Sequence, residues 1–498
     1  KGNSNGNFFK YWDLVYSLPR FQGGFMWDWA DKPLEHTLSD GRTVHRYGES
    51  EGEGPHVARM CLNGIVFADL SLKPAAYEMW KCQAPVRIEE ISSDETRAGR
   101  FRIHNLFLES TLDHLDLLWE VHADGEPVQA GRLRLPAIAP CNGLTRASRL
   151  VAAVLAGFAV ERQAPVLTVP FTLDTIRPGA EYALVLRCVL VRGTPWAAAG
   201  HCVAWEQFRL PVGVPGVPPP VRNATRPQRP VPLGDDAFGG VFDPATATLA
   251  SLRVAGREMV VRGFQECFFR APTDIDEAQG GAATYASRWR AAGLDALART
   301  VDAVAVSALG DHGLRIVSDT TCSVNGKPVA RTRIRYAFED GAFFVAAAFN
   351  LAESLPFLPR IGLEGMFDAA LVNAAWFGRG PFENYRDRKH AAMAGRYAAP
   401  VADLAVPYVY PSESGARQDV RWLALTRADG MGLRFRAVQP LFQFSALHHG
   451  WRDLADAKYI DELPRRPDIH LHLDAAQSGL GGDTGWSQNI HPEFQVQP

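Results

Sequence analysis

Residues 117–128, LLWEVHADGEPV, alternate apolar and polar side chains as far as an Asp124-Gly125 dipeptide. A period of two is typical of a half-buried β-strand, and Asp-Gly is a strong signal for a tight hairpin turn. A second strand-like run, YALVLRCVLVR, follows at residues 182–192. The length of this region and the spacing of its turns predict an immunoglobulin-like or fibronectin-like β-sandwich over residues 86–212.

The region before this sandwich, residues 1–85, has a mixed α/β pattern. Aromatic residues recur at helical spacing until Pro19, and a second helix is predicted to begin at Pro74, since proline suits the first turn of a helix. Of two apolar runs between them, residues 21–31 are predicted to be a strand that enters a loop, and residues 61–69 a second, buried strand with the loop beyond it. This order of helix, strand, long loop, strand and helix predicts the last part of a (β/α)₈ barrel.

The region after the sandwich begins with a proline-rich segment, residues 213–232, which is predicted to be a semi-rigid linker. Residues 233–498 consist of strand-like runs and predict one large antiparallel β-sandwich. Turn signals recur within it at Asn325-Gly326 and Asp340-Gly341. The whole chain is therefore predicted to be multidomain and mainly β.

The composition excludes several classes of protein. Hydrophobic residues make up 47% of the chain and charged residues 21%, as in ordinary globular domains, so a disordered chain is excluded. The net charge of −3 gives no reason to expect nucleic acid or a membrane surface as a partner. The most apolar run, residues 150–160, is too short to cross a membrane. The seven cysteines are scattered without C-x-x-C spacing, so we expect free thiols and a cytoplasmic location.

The first candidate binding residues are Trp27 and Trp29. An indole can stack on the apolar face of a sugar ring, and the end of a barrel strand is where substrate contacts are built. Alternate residues of a strand share one face, so both tryptophans are predicted to lie on one side and Asp28 on the other. Two core indoles would give the same pattern.

A second candidate lies in Met60-Cys61-Leu62-Asn63-Gly64. The side-chain oxygen of Asn63 and the backbone oxygen of Met60 could ligate a hard cation. An asparagine in a turn before a glycine explains the same residues without a ligand.

A third candidate is the loop GLGGDTGWS, residues 479–487, in which four glycines surround Asp483 and present Trp486. An exposed aromatic residue in such a loop suggests a binding site, but the glycines are equally compatible with a connection of unusual backbone angles.

Nine motifs, taken in order, resemble the long β-galactosidases of glycoside hydrolase family 2. They are GNSNGNFFKYWDLVYSLPRFQGGFMWDWADKPL (2–34), MCLNGIVFADLSLKPAAYE (60–78), TPWAAAGHCVAWEQFRLP (194–211), RAPTDID (270–276), SRWRAAGL (287–294), RIGLEGM (360–366), GRGPFENYRDR (378–388), VPYVYPSESGAR (406–417) and GLGGDTGWS (479–487). The resemblance covers essentially the whole chain. It implies a TIM-barrel remnant, an immunoglobulin-like sandwich and a mutarotase-like large sandwich. It also implies retaining hydrolysis of terminal β-galactosides such as lactose, assistance by Na⁺ and Mg²⁺, and a homo-oligomer.

The same resemblance implies roles for individual residues. Trp27 matches the tryptophan that stacks on the galactosyl ring, and Trp486 matches the tryptophan of the leaving-group site, with Ser487 after it. Asn63 matches a sodium ligand, and Met60 stands where the family uses the backbone oxygen of a phenylalanine. One departure is His56, which stands where the family often has an asparagine at a secondary magnesium site.

In the family, the nucleophilic glutamate lies a few residues before the GNS motif. The acid/base glutamate and the main magnesium ligands lie farther upstream, so the resemblance places all of them before Lys1. The carboxylates in this chain do not single out a catalytic pair. The clusters considered are Glu49, Glu51 and Glu53, then Asp274 and Asp276, then Glu383 and Asp387. We therefore expect the chain alone to have no glycosidase activity and to need a partner that carries the N-terminal half.

Two other functions fit the same sequence. The large sandwich could bind carbohydrate without catalysis, or act as a small subunit that completes a split β-galactosidase. The sandwiches could also serve as oligomer interfaces, a role compatible with either. A partial barrel is in every case expected to expose apolar surface.

Overall fold

The computed structural model describes residues 3–498 except positions 19, 49–51, 53, 55–57, 141–163, 174–175, 213–230, 235–236, 279, 310–312, 340–341 and 486. Among the described residues, no helix is long and apolar enough to span a membrane. Six of the seven cysteines are described, and all six are free thiols.

In the described part of the barrel segment, residues 1–85, two helices pack against each other and are accompanied by one β-hairpin and a short 3₁₀ helix. These are α1 (Phe8–Ser17), β1 (Leu34–Thr37), β2 (Thr43–Arg46), the 3₁₀ helix Ala58–Leu62 and α2 (Pro74–Cys82). Both predicted helices are confirmed, and Pro74 opens α2 as expected.

The two strands predicted in this segment, at residues 21–31 and 61–69, are wrong as regular strands. The segments lie side by side and exchange backbone hydrogen bonds, for example from Ile65 N to Asp28 O at 2.9 Å. Only one parallel bridge, Ala30 to Val66, joins them. Within the described residues neither segment has a further parallel neighbour, so the ladder that would hold a regular strand does not form.

Outside its undescribed positions 141–163 and 174–175, the immunoglobulin-like domain forms a three-stranded sheet, β3-β4-β7, and a four-stranded sheet, β6-β5-β8-β9. Its elements are β3 (Val86–Glu90), α3 (Ser93–Arg97), β4 (Arg100–Asn105), the 3₁₀ helix Leu112–His114, β5 (Leu115–Ala123), β6 (Glu126–Arg134), β7 (Val166–Thr168), β8 (Tyr182–Leu190) and β9 (Cys202–Leu210). The hairpin signal is confirmed, since Asp124 and Gly125 both adopt positive φ, 51° and 80°. Buried residues of both sheets, including Phe101 and Leu117, form one core.

The C-terminal sandwich is built from four antiparallel sheets with the orders β10-β11-β12-β13, β15-β16-β17-β18, β14-β19-β26-β25-β22 and β21-β20-β23-β24. Its strands are β10 (Val231–Gly234), β11 (Phe238–Asp243), β12 (Thr248–Val254), β13 (Arg257–Glu258), β14 (Val260–Cys267), β15 (Ala298–Leu309), β16 (Gly313–Val324), β17 (Lys327–Glu339), β18 (Ala342–Leu351), β19 (Arg360–Asp368), β20 (Asn373–Gly380), β21 (Met393–Pro400), β22 (Arg417–Val420), β23 (Trp422–Thr426), β24 (Gly432–Arg436), β25 (Phe442–Leu447) and β26 (Asp468–Gln477). Its helices are α4 (Tyr285–Ala291), α5 (Trp451–Asp456) and the 3₁₀ helices Val401–Asp403, Ile460–Glu462 and Pro492–Phe494.

The predicted turns and linker of this region have different outcomes. Asn325 and Gly326 form the expected turn with φ of 49° and 73°. The second turn, Asp340-Gly341, lies outside the described residues, as do residues 213–230 of the predicted linker. Val231 and Pro232, placed at the end of that linker, belong to β10 and pair with β11.

The three parts of the chain meet around residues 390–394. Glu78 of α2 is buried and accepts hydrogen bonds from the His390 ring at 2.9 Å and the Ala391 amide at 3.0 Å. Gln207 of β9 exchanges two hydrogen bonds with the backbone of Ala394, at 2.6 and 2.7 Å. A barrel side chain and a sandwich side chain therefore hold the same short stretch of the C-terminal domain.

Replacing Glu78 with alanine should lower the free energy of unfolding by about 2–3 kcal/mol, because a hydrogen bond to a charged group contributes about 1.5–3 kcal/mol to stability. Chemical denaturation of the purified chain measures this. Glu78→Gln, which keeps one acceptor oxygen, should lose roughly half as much. Glu493→Ala removes an exposed partner of Lys10 and should change stability by less than about 1 kcal/mol. Equal losses for Glu78→Ala and Glu493→Ala would contradict the assigned role of Glu78.

Candidate active site

Trp27 and Trp29 are both exposed to solvent, with 80% and 61% of their surface accessible. Asp28 between them accepts a hydrogen bond from the Trp29 amide at 2.6 Å and pairs with Lys32. The Lys32 ammonium, followed by the Trp29 amide, holds the pKa of Asp28 below its usual value. The alternative that the two indoles are core residues is wrong for this structure, and the face of Trp27 is open to a ligand.

The candidate sodium ligands lie directly beside this tryptophan segment. The backbone oxygen of Asn63 accepts the Asp28 amide at 2.8 Å, and its side-chain oxygen is 3.4 Å from the Lys32 ammonium. Met60 is half-buried in the 3₁₀ helix that precedes Asn63. Neutral oxygen donors suit Na⁺, and in this structure the Asn63 side-chain oxygen faces the Lys32 ammonium. The roles of Asn63 and Met60 as sodium ligands stay predictions.

A buried ion pair supports the turn that carries Asn63. Lys73 donates to Asp31 at 2.7 Å and to the carbonyl of Gly64 at 3.0 Å, while the Gly64 amide donates to Asp31 at 2.8 Å. Both charged side chains are about 2% exposed. Burial lowers the pKa of Lys73, and the Asp31 carboxylate opposes that shift. The backbone of Gly64, which directly follows Asn63, is therefore fixed by one lysine and one aspartate.

The loop 479–487 lies against the first residues of the barrel segment. Gly6 donates to the carbonyl of Gly481 at 2.7 Å, and Asn7 donates to Asp483 at 2.9 Å. A Cβ atom on Gly6 would lie 2.0 Å from an oxygen of Asp387, so only glycine fits there. The structure thus joins the residues that directly follow the GNS motif to the glycine-rich loop, although the two are far apart in sequence.

Within that loop, the described residues are engaged with one another. Asp483 also contacts the His491 ring at 2.8 Å, and Ser487 is hydrogen-bonded to Thr484. Trp486 lies outside the described residues, so its predicted role stays a prediction, as does that of Ser487.

The acids singled out in the sequence that the structure describes are buried and paired or hydrogen-bonded to neighbouring segments. Asp387 accepts the amides of Leu480 and Gly481, both at 2.8 Å, and burial raises its pKa. Asp276 pairs with the fully buried Arg270 at 2.8 Å, and Asp274 lies 3.2 Å from Arg59. Glu49, Glu51, Glu53 and His56 lie outside the described residues.

The strongest network among these acids holds the GNS motif itself. Arg388 donates to Glu383 and to the carbonyl of Ser4, both at 2.7 Å. Tyr408 donates to Glu383 at 2.6 Å, and Asn3 donates to the carbonyl of Glu413 at 2.6 Å. Burial, reinforced by the Glu383 charge, raises the pKa of Tyr408 well above its usual value. Sequence analysis missed Asn3, Arg388 and Tyr408, because the residues that meet here are hundreds of positions apart.

Three family models match successive parts of the chain. Residues 1–88 match "Glycosyl hydrolases family 2, TIM barrel domain", and residues 101–211 match "Beta-galactosidase, domain 4". Residues 234–498, more than half of the chain, match "Beta galactosidase small chain". The chain belongs to the β-galactosidases of glycoside hydrolase family 2. Its sequence corresponds to their C-terminal half, and the predicted family and fold class are confirmed.

Full-length relatives support this membership. A β-galactosidase of Vibrio cholerae is 33% identical over 99% of this chain, and one of Aeromonas hydrophila is 32% identical over 100% of it. A β-galactosidase of Priestia megaterium is 29% identical over 99% of the chain. The chain spans 45–46% of the length of these enzymes.

Among solved structures, a galactose mutarotase-like protein from Lactobacillus casei aligns with 52% of this chain and 92% of its own length. The TM-score is 0.27 and the identity 14%, which is too weak to bear on the function of this β-galactosidase chain.

Proposed function

We propose that this chain forms the C-terminal portion of a retaining β-galactosidase that hydrolyses terminal β-galactosides such as lactose. The observation that carries the proposal is the open indole of Trp27, which stands next to Asn63 on the barrel segment. In this role Trp27 stacks on the galactosyl ring, while Asn63 and Met60 hold Na⁺, which would neutralise and orient sugar oxygens. Mg²⁺ is proposed to bind mainly through residues that precede Lys1.

The two carboxylates of retaining hydrolysis are proposed to come from the segment before Lys1. One protonates the leaving group and the other attacks the sugar, from positions about 5–5.5 Å apart. Exposed apolar side chains of the barrel segment support a docking surface for that segment. Besides Trp27, which is assigned to the sugar, the most exposed are Phe25, Trp29 and Leu70. Asn3 and Ser4, held by the sandwich, then fix the backbone that follows the nucleophile.

Hydrolysis of a chromogenic β-galactoside tests this function. The purified chain alone should give no hydrolysis above background, and a mixture with the N-terminal half of the same enzyme type should be active. In the mixture, Trp27→Ala should lower kcat/KM about tenfold to hundredfold, because burying one large apolar side chain contributes about 1.5–3 kcal/mol.

Trp196→Ala is the matched control, since Trp196 is also exposed but lies in the immunoglobulin-like domain. It should leave kcat/KM unchanged. Activity of the chain alone would overturn the assignment of both carboxylates to the upstream segment. A Trp27→Ala mixture as active as wild type would remove Trp27 from the galactose site.

A second candidate function is that of a non-catalytic small subunit or carbohydrate-binding module. The match of residues 234–498 to "Beta galactosidase small chain" favours it. Galactose binding by a chain that stays inactive with every N-terminal half would support the carbohydrate-binding module over the first candidate. A small subunit that completes a split enzyme would instead be active in the mixture.

A further inference from the structure

Strand β18, residues 342–351, is the edge of the sheet β15-β16-β17-β18. Its pairing with β17 runs from Ala330↔Leu351 to Glu339↔Ala342 without a register shift. Among the described residues, no strand pairs with its other side. β18 therefore presents a straight edge whose backbone groups are available to a further strand.

The sequence of this edge, AFFVAAAFNL, contains no charged residue, proline or glycine. Sheet edges are ordinarily protected by charges, prolines or bulges, because an unprotected edge pairs with other chains. The opposite edge of the same sheet, β15, carries Asp302 at a bulge between Val301 and Ala303. The edge strand β21 carries Arg396 and Pro400. β18 lacks every one of these devices.

The side chains of β18 also remain accessible. Phe344, on the outer face, is 51% exposed, and Ala346 and Ala348 on that face are exposed too. Val345 points toward the inner face yet is 38% exposed, whereas its neighbour Phe343 packs against the core. An inward residue stays this accessible only where nothing covers the edge beside it.

We infer that β18 pairs with β18 of a second copy of this chain, antiparallel and about a twofold axis at Ala346. This register places Phe344 opposite the partner's Ala348 and Val345 opposite the partner's Ala347, so that each large side chain meets a small one. The two sheets become one sheet of twice the width. The interface is independent of the proposed catalytic function.

The charges near this axis permit the pairing. Arg335 of β17 is the cross-strand neighbour of Ala346. The two copies of Arg335 would be separated by three strand spacings, roughly 14 Å, which exceeds the screening length of about 8 Å at physiological ionic strength. Ala346 itself has no side chain long enough to clash at the axis.

Sedimentation velocity of the full chain over roughly 1–100 µM, a range that resolves mass-action dimers, tests the inference. Ala346→Glu should weaken dimerisation by about tenfold or more, because two like charges meet at the axis. The variant should stay folded, since the glutamate lies opposite Arg335 of its own chain. Ala308→Glu, the same substitution in an exposed position of β15, should leave dimerisation unchanged.

A charge-swap experiment makes the test specific to self-pairing. An equal mixture of Ala346→Glu and Ala346→Lys chains should dimerise at least as tightly as wild type, while each variant alone does not. All chains carry Phe25→Ser to reduce association through the exposed barrel segment. Association that remains there is the same in every variant, so differences between the variants report on β18.

Three results would overturn the inference. The first is a chain with the wild-type β18 sequence that stays monomeric over the whole concentration range. The others are dimerisation that Ala346→Glu does not weaken, and failure of the charge-swapped mixture to dimerise. Hydrogen exchange supplies a second readout, since protection of residues 342–351 should rise with chain concentration. If residues 342–351 are protected only when an N-terminal half is added, and not when the chain concentration rises, the partner of the edge is that half and not a second copy of the chain.

Discussion

Replacing Arg388 with methionine is expected to lower the free energy of unfolding by about 3–5 kcal/mol, because removing one partner of a buried ion pair leaves the other charge uncompensated. The Arg388 and Glu383 side chains are at most 1% exposed and lie 2.7 Å apart. Arg388 also donates to the carbonyl of Ser4, so the variant should release the GNS motif from the sandwich. Denaturant titration measures the stability, and hydrogen exchange of residues 3–7 measures the release.

Two further variants isolate the charge effect. The double variant Glu383→Gln/Arg388→Met removes both charges and should recover at least half of the loss, so the two substitutions should not be additive. Arg386→Met is the matched control, because Arg386 lies two residues earlier in the same turn but is only partly buried. It should cost less than about 1 kcal/mol. A loss as large for Arg386→Met would mean that the turn is sensitive to any substitution.

Local signals accounted for the elements that the sequence predicted well. The Asp124-Gly125 turn, the strand at 182–192 and the helix opened by Pro74 each depend on residues adjacent in the chain. These signals do not require knowledge of distant contacts. They were sufficient to divide the chain into a barrel segment and two sandwiches.

The strands predicted at 21–31 and 61–69 are wrong because a strand depends on distant neighbours and not only on residues adjacent in the chain. Their apolar composition is that of buried strands, but a parallel strand is completed only by neighbours on both sides. In the described residues each segment has only the other as a parallel neighbour, so a single parallel bridge forms between them. The exposure of Trp27 has the same origin, and composition alone favoured a core position for it.

The long-range hydrogen bonds that hold the segments around the candidate site together could not be predicted from the sequence. Asn3 contacts Tyr385 across 382 positions, and Asn7 contacts Asp483 across 476 positions. No local pattern distinguishes the buried Glu383 from a solvated acid in a turn, because its partners Arg388, Tyr408 and Gly415 come from separate segments that only the fold brings together. The roles of Trp27, Asn63, Met60 and Ser487 stay predictions.

Replacing Lys73 with methionine is the second substitution for which we expect a loss of about 3–5 kcal/mol, since Asp31 would remain buried as an unpaired charge. The Lys73–Asp31 pair also binds the amide and the carbonyl of Gly64. The turn that carries Asn63 should therefore shift, and the reconstituted enzyme should need more Na⁺ for half-maximal activity. Denaturant titration of the chain and a sodium titration of the mixture measure the two effects separately.

The controls for this substitution distinguish charge from packing. Lys10→Met breaks a partly exposed ion pair with Glu493 and should cost less than about 1 kcal/mol, with no effect on the sodium titration. The double variant Asp31→Asn/Lys73→Met should recover most of the stability, because no buried charge is left without a partner. Its sodium requirement should stay raised, because neutral side chains no longer clamp both backbone groups of Gly64. Recovery of the sodium response together with stability would show that the charge alone, and not the position of the Asn63 turn, couples Lys73 to the cation.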